Sequence, residues 1–291
     1  MNMPNDKPTK ILLATDLSSR SDRALDRAAQ LAEQWQAELV ALNILESTQA
    51  PDMALTWAYG NEDTNVQIAE RQLLKDLAGL KVKLSARIAH GDVTSAIETV
   101  ASEEHCDLVV TGMARNETFG RFLLGSTVER LAKELPLPML VVRSRPRGKY
   151  SQIVIATDFS ASSKHAVLAA LRFFPEQYLT LYHAHNKPLS DAIEDYSSEL
   201  NQAAMQRAFT DFLDTCELSD AQRQRFKSVS EIGTLETVLT HYVRANYIDL
   251  VIIGTQGHNG LMGVLLGSNA AKLLDWLPCD TMTVRAPKPN N

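Results

Sequence analysis

"DLVIIGTQGHNGLMGVLLGSNAAKLLDWL", Asp249 to Leu277, sets an apolar run against a glycine-rich stretch and then a helical pattern. "LVII" shows no polar alternation, which reads as a strand buried on both faces, as in a parallel sheet covered by helices. From Gly254 onward, five glycines fall within fourteen residues, although glycine weakens both of the elements it joins. Such a stretch is either a plain turn or a loop whose main chain lies against a ligand.

The same arrangement occurs earlier in the chain. "DLVVTG" at Asp107 matches "DLVIIG" at Asp249, "LLGS" at Leu123 matches "LLGS" at Leu265, and "ILLATDLSSRS" at Ile11 matches "IVIATDFSASS" at Ile153. Each pair is 142 residues apart, as are Gly91 and Gly233. A constant offset reads as duplication of one unit of about 140 residues, an ordinary size for a domain. Pro146 and Gly148 in "RSRPRGKYSQ" mark a short linker. The expected domains are therefore 1–146 and 151–291.

Within the second half, strands are expected at Ile153–Thr157, Leu179–His183, Phe226–Ser230, Leu250–Gly254 and Met282–Arg285. Helices are expected to start near Ser160, Ser190, Thr234 and Ser268, each a residue able to cap exposed N–H groups. The first half mirrors this, and its helix over about 62–77 places Val66, Ala69, Leu73 and Leu77 on one face. Alternating β and α elements with right-handed crossovers predict an α/β fold of two doubly wound domains. Any ligand site then lies outside the carboxyl ends of the strands, where the strand order reverses.

The glycine stretch leaves the carboxyl end of the fourth strand and so falls on that rim. Gly254, Gly257 and Gly260 permit positive φ and close backbone approach. Gly267 and Ser268 open the last long helix, whose first N–H groups and dipole favour an anion such as phosphate. Asn269 adds an amide. Asp158, ending "IVIATD", is placed to accept a ribose hydroxyl or to help hold magnesium between phosphates. The plainer reading stands beside this one: Asp158 and Ser160 end a strand and cap a helix, and Gly267-Ser268 is a common helix entry.

The pattern G-x-x-G, nine residues, then G-[ST], carried by Gly254, Gly257, Gly267 and Ser268 with "ATDFS" at the first strand, resembles the universal stress protein family. The resemblance covers nearly the whole chain as two tandem domains. It implies five-stranded parallel sheets of order 3-2-1-4-5 that bind adenine nucleotide, ATP or its shorter relatives with or without magnesium, in proteins of stress resistance and regulation. The implied nucleotide contacts are Ala156, Thr157, Asp158, Ala184, Gly254, Thr255, Gly257, Gly267, Ser268 and Asn269. It further implies a fused pair of domains about a pseudo-twofold axis, because single-domain members commonly dimerise, and a homodimer of whole chains is compatible with it. In the first half, Gly112, Gly125 and Ser126 are kept but Arg115 stands where Gly257 stands in the second. A side chain there disfavours positive φ and crowds phosphates, although a guanidinium also suits a phosphate from the side. One nucleotide per chain, in the second half, is the expectation.

Other readings fit less well. The chain has no G-x-S-x-G, no G-x-G-x-x-G and no G-x-x-x-x-G-K-[ST], so the hydrolase elbow, the dinucleotide fingerprint and the P-loop are all missing. No catalytic residue is expected beyond slow hydrolysis of ATP. His183 and His185 point to one side of a strand, but a third metal ligand is not visible, so rim histidines are preferred to a metal site. His90 and His105 read as surface or capping residues. The segment 46–61, with Met53 and Trp57, reads as core packing or a lid, and its counterpart near 187–198 is more charged. A net charge of -6 without a basic stripe argues against nucleic acid. Cys106, Cys216 and Cys279 show no C-x-x-C spacing. The opening "MNMPNDKPTK" has no apolar signal core, and no run suits a membrane span, so a cytoplasmic protein is expected.

Overall fold

The computed structural model describes residues 7–19, 21–45, 62–113, 117–118, 121–122, 125–185, 199–255 and 267–286. The chain divides into two compact units. The first contains β1 (Lys10–Thr15), α1 (Asp22–Trp35), β2 (Glu38–Leu45), α2 (Glu62–Asp76), β3 (Leu84–His90), α3 (Val93–Glu103) and β4 (Leu108–Gly112). A short hairpin, β5 (Glu117–Thr118) and β6 (Arg121–Phe122), groups with the second unit, and α4 (Ser126–Glu134) and β7 (Met139–Val142) then complete the first.

The second unit contains β8 (Ile153–Ala156), α5 (Ala161–Phe173), β9 (Leu179–His185), α6 (Glu199–Thr215), α7 (Asp220–Arg223) and β10 (Phe226–Ile232). It ends with α8 (Leu235–Ala245), β11 (Leu250–Gly254), α9 (Ser268–Trp276) and β12 (Asp280–Val284). The helix expected near Ser190 is described only from Glu199, because 186–198 lie outside the described residues.

Each unit carries a parallel sheet, in the order β3-β2-β1-β4-β7 in the first and β10-β9-β8-β11-β12 in the second. This is the expected 3-2-1-4-5 order, with the reversal between strands one and four. The apolar strand runs are covered on both faces: Ile11, Leu12, Val109, Leu140, Ile155, Val251 and Ile252 are all fully buried. In α1 the core face is Ala24, Ala28, Leu31 and Trp35. In α2 the expected stripe holds, with Ala69, Leu73 and Leu77 buried and Val66 half-buried.

The duplication extends to backbone detail. Leu17 and Phe159 share a left-handed conformation (φ 56° and 63°), and so do His105 and Tyr247 (φ 54° and 52°). Gly91 and Gly233 adopt φ of +108° and +143°, which a side chain would strain. Asp107 accepts from Thr9 N, Thr9 Oγ1 and Lys10 N at 2.7–3.1 Å. Asp249 accepts from Ser151 N, Ser151 Oγ and Gln152 N at 2.9 Å each. These carboxylates tie the start of the first strand of each unit to the start of the fourth.

One element breaks the constant offset. Ala14 pairs with Leu42 while Ala156 pairs with Tyr182, so β9 stands 140 residues after β2 rather than 142. The connection through α5 is two residues shorter than that through α1, and a later insertion restores the count.

The linker is held by the first unit. Arg23 Nη1 donates to the Arg143 carbonyl (2.7 Å), and the buried Arg27 donates through Nη1 to the Gly148 carbonyl (2.9 Å).

Candidate functional site

Strand pairing gathers the expected residues of the second unit on one rim. Ile253 lies beside Ala156, and Ala156 beside Tyr182, so Thr157-Asp158, Gly254-Thr255 and His183-Ala184 stand at one rim, with β9 running on beside β10 to His185, so that Ala184 lies within the second strand rather than after it. Ala156, Thr157 and Thr255 are buried, Asp158, Ala184, Gly254 and Gly267 are half-buried, and Ser268 and Asn269 are exposed. Gly257 and Gly260 lie outside the described residues, as do Arg115, the segment 46–61 and the segment 187–198.

Asp158 organises its own turn. Its Oδ1 accepts from Ser160 N (3.1 Å) and Ser163 Oγ (2.7 Å), while Phe159 N donates to Thr157 Oγ1 (2.9 Å). These bonds hold Phe159 in the left-handed region. Ser160 in turn caps α5, accepting from Ser163 N at 3.3 Å. Asp16 does the same in the first unit, accepting at Oδ1 from Ser18 N (3.0 Å), Ser18 Oγ (2.6 Å) and Ser21 Oγ (2.7 Å). The plain reading of this carboxylate as a strand-end and turn residue is therefore correct for Oδ1. The geometry also fixes the carboxylate at the rim, where it can serve a ligand.

Two glycines differ from expectation in their physical role. Gly254 does not adopt positive φ. A Cβ there would lie 2.8 Å from the carbonyl oxygen of Ser162 and 2.9 Å from its carbon, so glycine is needed for the close packing of β11 on α5. Gly267 N donates to the Thr255 carbonyl (2.8 Å), tying the start of α9 to the end of β11. The Gly267 N–H is thus turned toward its own strand, and anion binding falls to the next donors. Gly267 is the N-cap and has no side chain to bond the first turn, so the N–H groups of Ser268 and Asn269 have no acceptor among the described residues. The first turn of α9 carries no acidic residue.

An aromatic group borders the rim. Phe159 lies over His183 (centroids 4.5 Å apart) and meets Phe209 and Phe212 of α6 edge-on at 5.3 and 5.6 Å. His183 Nδ1 bonds the Thr157 carbonyl (2.8 Å) and its ring stacks on His185 at 5.8 Å. Burial and then the neighbouring His183 hold the His185 imidazole below its ordinary value. Among the described residues no group of three or more His, Cys, Asp or Glu is placed to hold a metal. The cysteines are buried, and burial pushes the Cys106 thiol up to about 12, so it is no nucleophile at neutral pH.

The corresponding rim of the first unit encloses a cavity of about 230 Å³ between Ala14, Thr15, Asp16, Ile44, Thr111, Gly112, Met113 and Thr127, with Val93, Ile97, Val128 and Leu131 behind. Sequence reasoning missed Ile44, Val93 and Thr127. The signal for Ile44 was the register of β2: with an offset of 140 it is the counterpart of Ala184, and Asn43 is that of His183. Asn43 Nδ2 accordingly donates to the Thr15 carbonyl (2.9 Å), as His183 bonds that of Thr157.

These features define a tandem doubly wound α/β protein whose rims are closed by a carboxylate turn and a glycine-capped helix. The family model of the universal stress protein family matches residues 8–143 and again 149–285, and the chain belongs to that family. Universal stress protein Rv2005c of Mycobacterium tuberculosis is 24% identical over 282 residues, covering 90% of this chain and 93% of its own. A universal stress protein from Archaeoglobus fulgidus has a similar fold (TM-score 0.65, 16% identity, 95% of this chain and 98% of that one). A universal stress protein solved in complex with cAMP matches over 48% of this chain and all of its own, at 23% identity and TM-score 0.38. No helix among the described residues is long and apolar enough to cross a membrane.

Proposed function

We propose that the chain binds an adenine nucleotide on the rim of its second unit and acts as a regulatory or stress-response component rather than a dedicated catalyst. The observation that carries this reading is the start of α9. It is uncapped by any side chain, free of acidic residues in its first turn, and tied by the Gly267–Thr255 bond to the strand end beside Asp158. An anion placed there meets the N–H groups of Ser268 and Asn269 and the positive end of the helix. The hydroxyl of Ser268 adds a contact, and the Asp158 carboxylate faces the sugar.

Ala156, Thr157, Ala184, Gly254 and Thr255 supply the strand-end walls, and Gly257 gives the loop room for phosphates. Magnesium, where present, would take oxygens from the phosphates and at most a carboxylate from Asp158, since the described residues offer no cluster of ligands. The reading assigns no general base, and turnover of ATP near background is its expected outcome.

The test is mass analysis of small molecules released by denaturing gently purified protein, together with calorimetry of ATP on the intact chain and on Asp158→Ala. The expected result is a released adenylate and one ATP site weakened by the substitution. No released adenylate, and no ATP-dependent rise in melting temperature, would leave an interaction scaffold instead.

A further inference from the structure

We propose that copies of the chain associate through the amino ends of their sheets, with Tyr247 and the last turn of α8 in one copy seated in a groove on the first unit of another. The groove, of about 700 Å³, opens between the outer face of α3 and the connection from α4 to β7. The buried Ala101, Cys106 and Leu135 form its apolar floor, and Pro136 and Leu137 one lip. The other lip is the face of α3 on which Glu98, Thr99, Ser102 and Glu103 are exposed. Neither Glu98 nor Glu103 makes an ion pair among the described residues, whereas the adjacent Glu104 is taken up by Lys10 and Arg87. An occupant of this groove therefore brings a cation for the lip and a ring or other apolar group for the floor.

The second unit presents both groups at the equivalent place. With the offset of 142, Glu98, Ser102, Glu103 and His105 correspond to Thr240, Arg244, Ala245 and Tyr247, so an acidic face has become a basic one. His241 and Arg244 are exposed and make no ion pair among the described residues. Tyr247 is 86% exposed. It holds a left-handed conformation (φ 52°) that the histidine of the matching turn, His105 (φ 54°), adopts more readily, so the turn itself gives no reason for a large ring there. A tyrosine beside an arginine is a common anchor of protein interfaces, the ring filling a pocket while the guanidinium meets carboxylates. Two acidic faces repel each other, as do two basic ones, so charge selects the first unit of one copy for the second unit of another. Such a contact joins unlike surfaces, and copies that make it reciprocally close into a ring, the smallest being a dimer. Both faces lie at the ends of the strands opposite the rim proposed for nucleotide.

The test uses the full chain without nucleotide, so it does not depend on the second-unit site. Sedimentation equilibrium across the micromolar range should show reversible association. Tyr247→Ala should weaken it about tenfold or more, while Ile232→Ala, at an exposed residue ending β10 on the opposite rim, should leave it unchanged. Arg244→Glu should abolish it, and so should Glu98→Arg with Glu103→Arg, because like charges then meet in every self-contact. Mixing these two monomeric variants should restore association, since each supplies the charge that the other requires. The substituted residues are exposed, so the melting temperature of each variant should match that of the unaltered chain. The proposal is overturned if the unaltered chain stays monomeric, if Tyr247→Ala or Arg244→Glu leaves its association unchanged, if Ile232→Ala weakens it equally, or if the mixed variants do not associate. A monomeric chain that binds a hexa-arginine peptide, and loses it on Glu98→Arg with Glu103→Arg, would overturn it too and assign the groove to a foreign basic partner.

Discussion

The two rims share a frame and differ in what is mounted on it. Both have a carboxylate turn with a left-handed residue after the acid, both close with a glycine-capped helix, and both hold the first strand's carbonyl by a side chain from the second. Among the described residues the first rim has Glu129, bridged to Lys133, in the first turn of its helix and an Arg130–Asp92 fork where the second has a Lys272–Glu236 pair, while the second has aromatic rings at its strand end and no acid in the first turn of its helix. Duplication therefore preserved the parts that hold the backbone in place and varied the parts a ligand would meet. The shared parts should respond to mutation as structure and the divergent parts as specificity.

The largest effect is expected where the frame has no slack. Gly254→Ala forces a Cβ against the Ser162 backbone, which cannot rotate away as a side chain end would. Thermal unfolding should show a loss of about 3 kcal/mol, the upper end of ordinary overpacking costs. A loss near zero would mean that α5 can shift and that the glycine serves the ligand after all. Next comes Gly257→Arg, which copies the residue at position 115 into the second half. ATP affinity in calorimetry should fall roughly fiftyfold, or about 2.3 kcal/mol, with unaltered melting of the free protein. Unaltered affinity would make the loop a mere connector.

A third effect tests the frame from the opposite ends of the strands. Asp107→Ala and Asp249→Ala each remove one acceptor shared by two backbone N–H groups and a hydroxyl. Each should cost about 1.5 kcal/mol, the low end for bonds to a charged group, because both sites are exposed. Urea unfolding of the two variants checks it. Two clearly unequal losses would show that the halves no longer share this clamp.

Much of this was legible in the sequence, for identifiable reasons. Val/Ile/Leu runs such as "LVII" declare strands buried on both faces, and the repeated "ATD" and "LLGS" locate the turns and helix starts of both units. The repeat offset gave the duplication but concealed the register of β9, because a two-residue deletion is compensated before β10. That shift decides which β2 residue stands beside the rim, and hence that Ile44 matters. The reasons for individual residues were also hidden. The composition of the loop suggests that Gly254 serves a ligand, but the Ser162 carbonyl comes from a helix some 90 residues earlier in the chain. Asp158 looks like a ligand residue or a turn residue until the bonds to Ser160 and Ser163 show that one oxygen does the second task.

The smallest effect separates the halves by pH. His185 in the second unit is held below the ordinary imidazole value by burial and by His183, and His165 by burial and by Lys164. In the first unit Asn43, which does not titrate in this range, takes the place of His183. A histidine whose folded pKa is depressed binds its proton more readily when unfolded, so stability is intact above the unfolded value of about 6.5 and declines as the pH falls below it. Urea titrations at descending pH should show the chain losing well under about 1 kcal/mol per histidine between roughly pH 7 and 5.5, since both rings retain some contact with solvent. His185→Asn should flatten that slope, and Asn43→His should leave it unchanged unless the new ring is buried as deeply as its counterpart. A slope unaltered by His185→Asn would assign the pH response to other groups and remove the histidine pair from the differences that matter between the two rims.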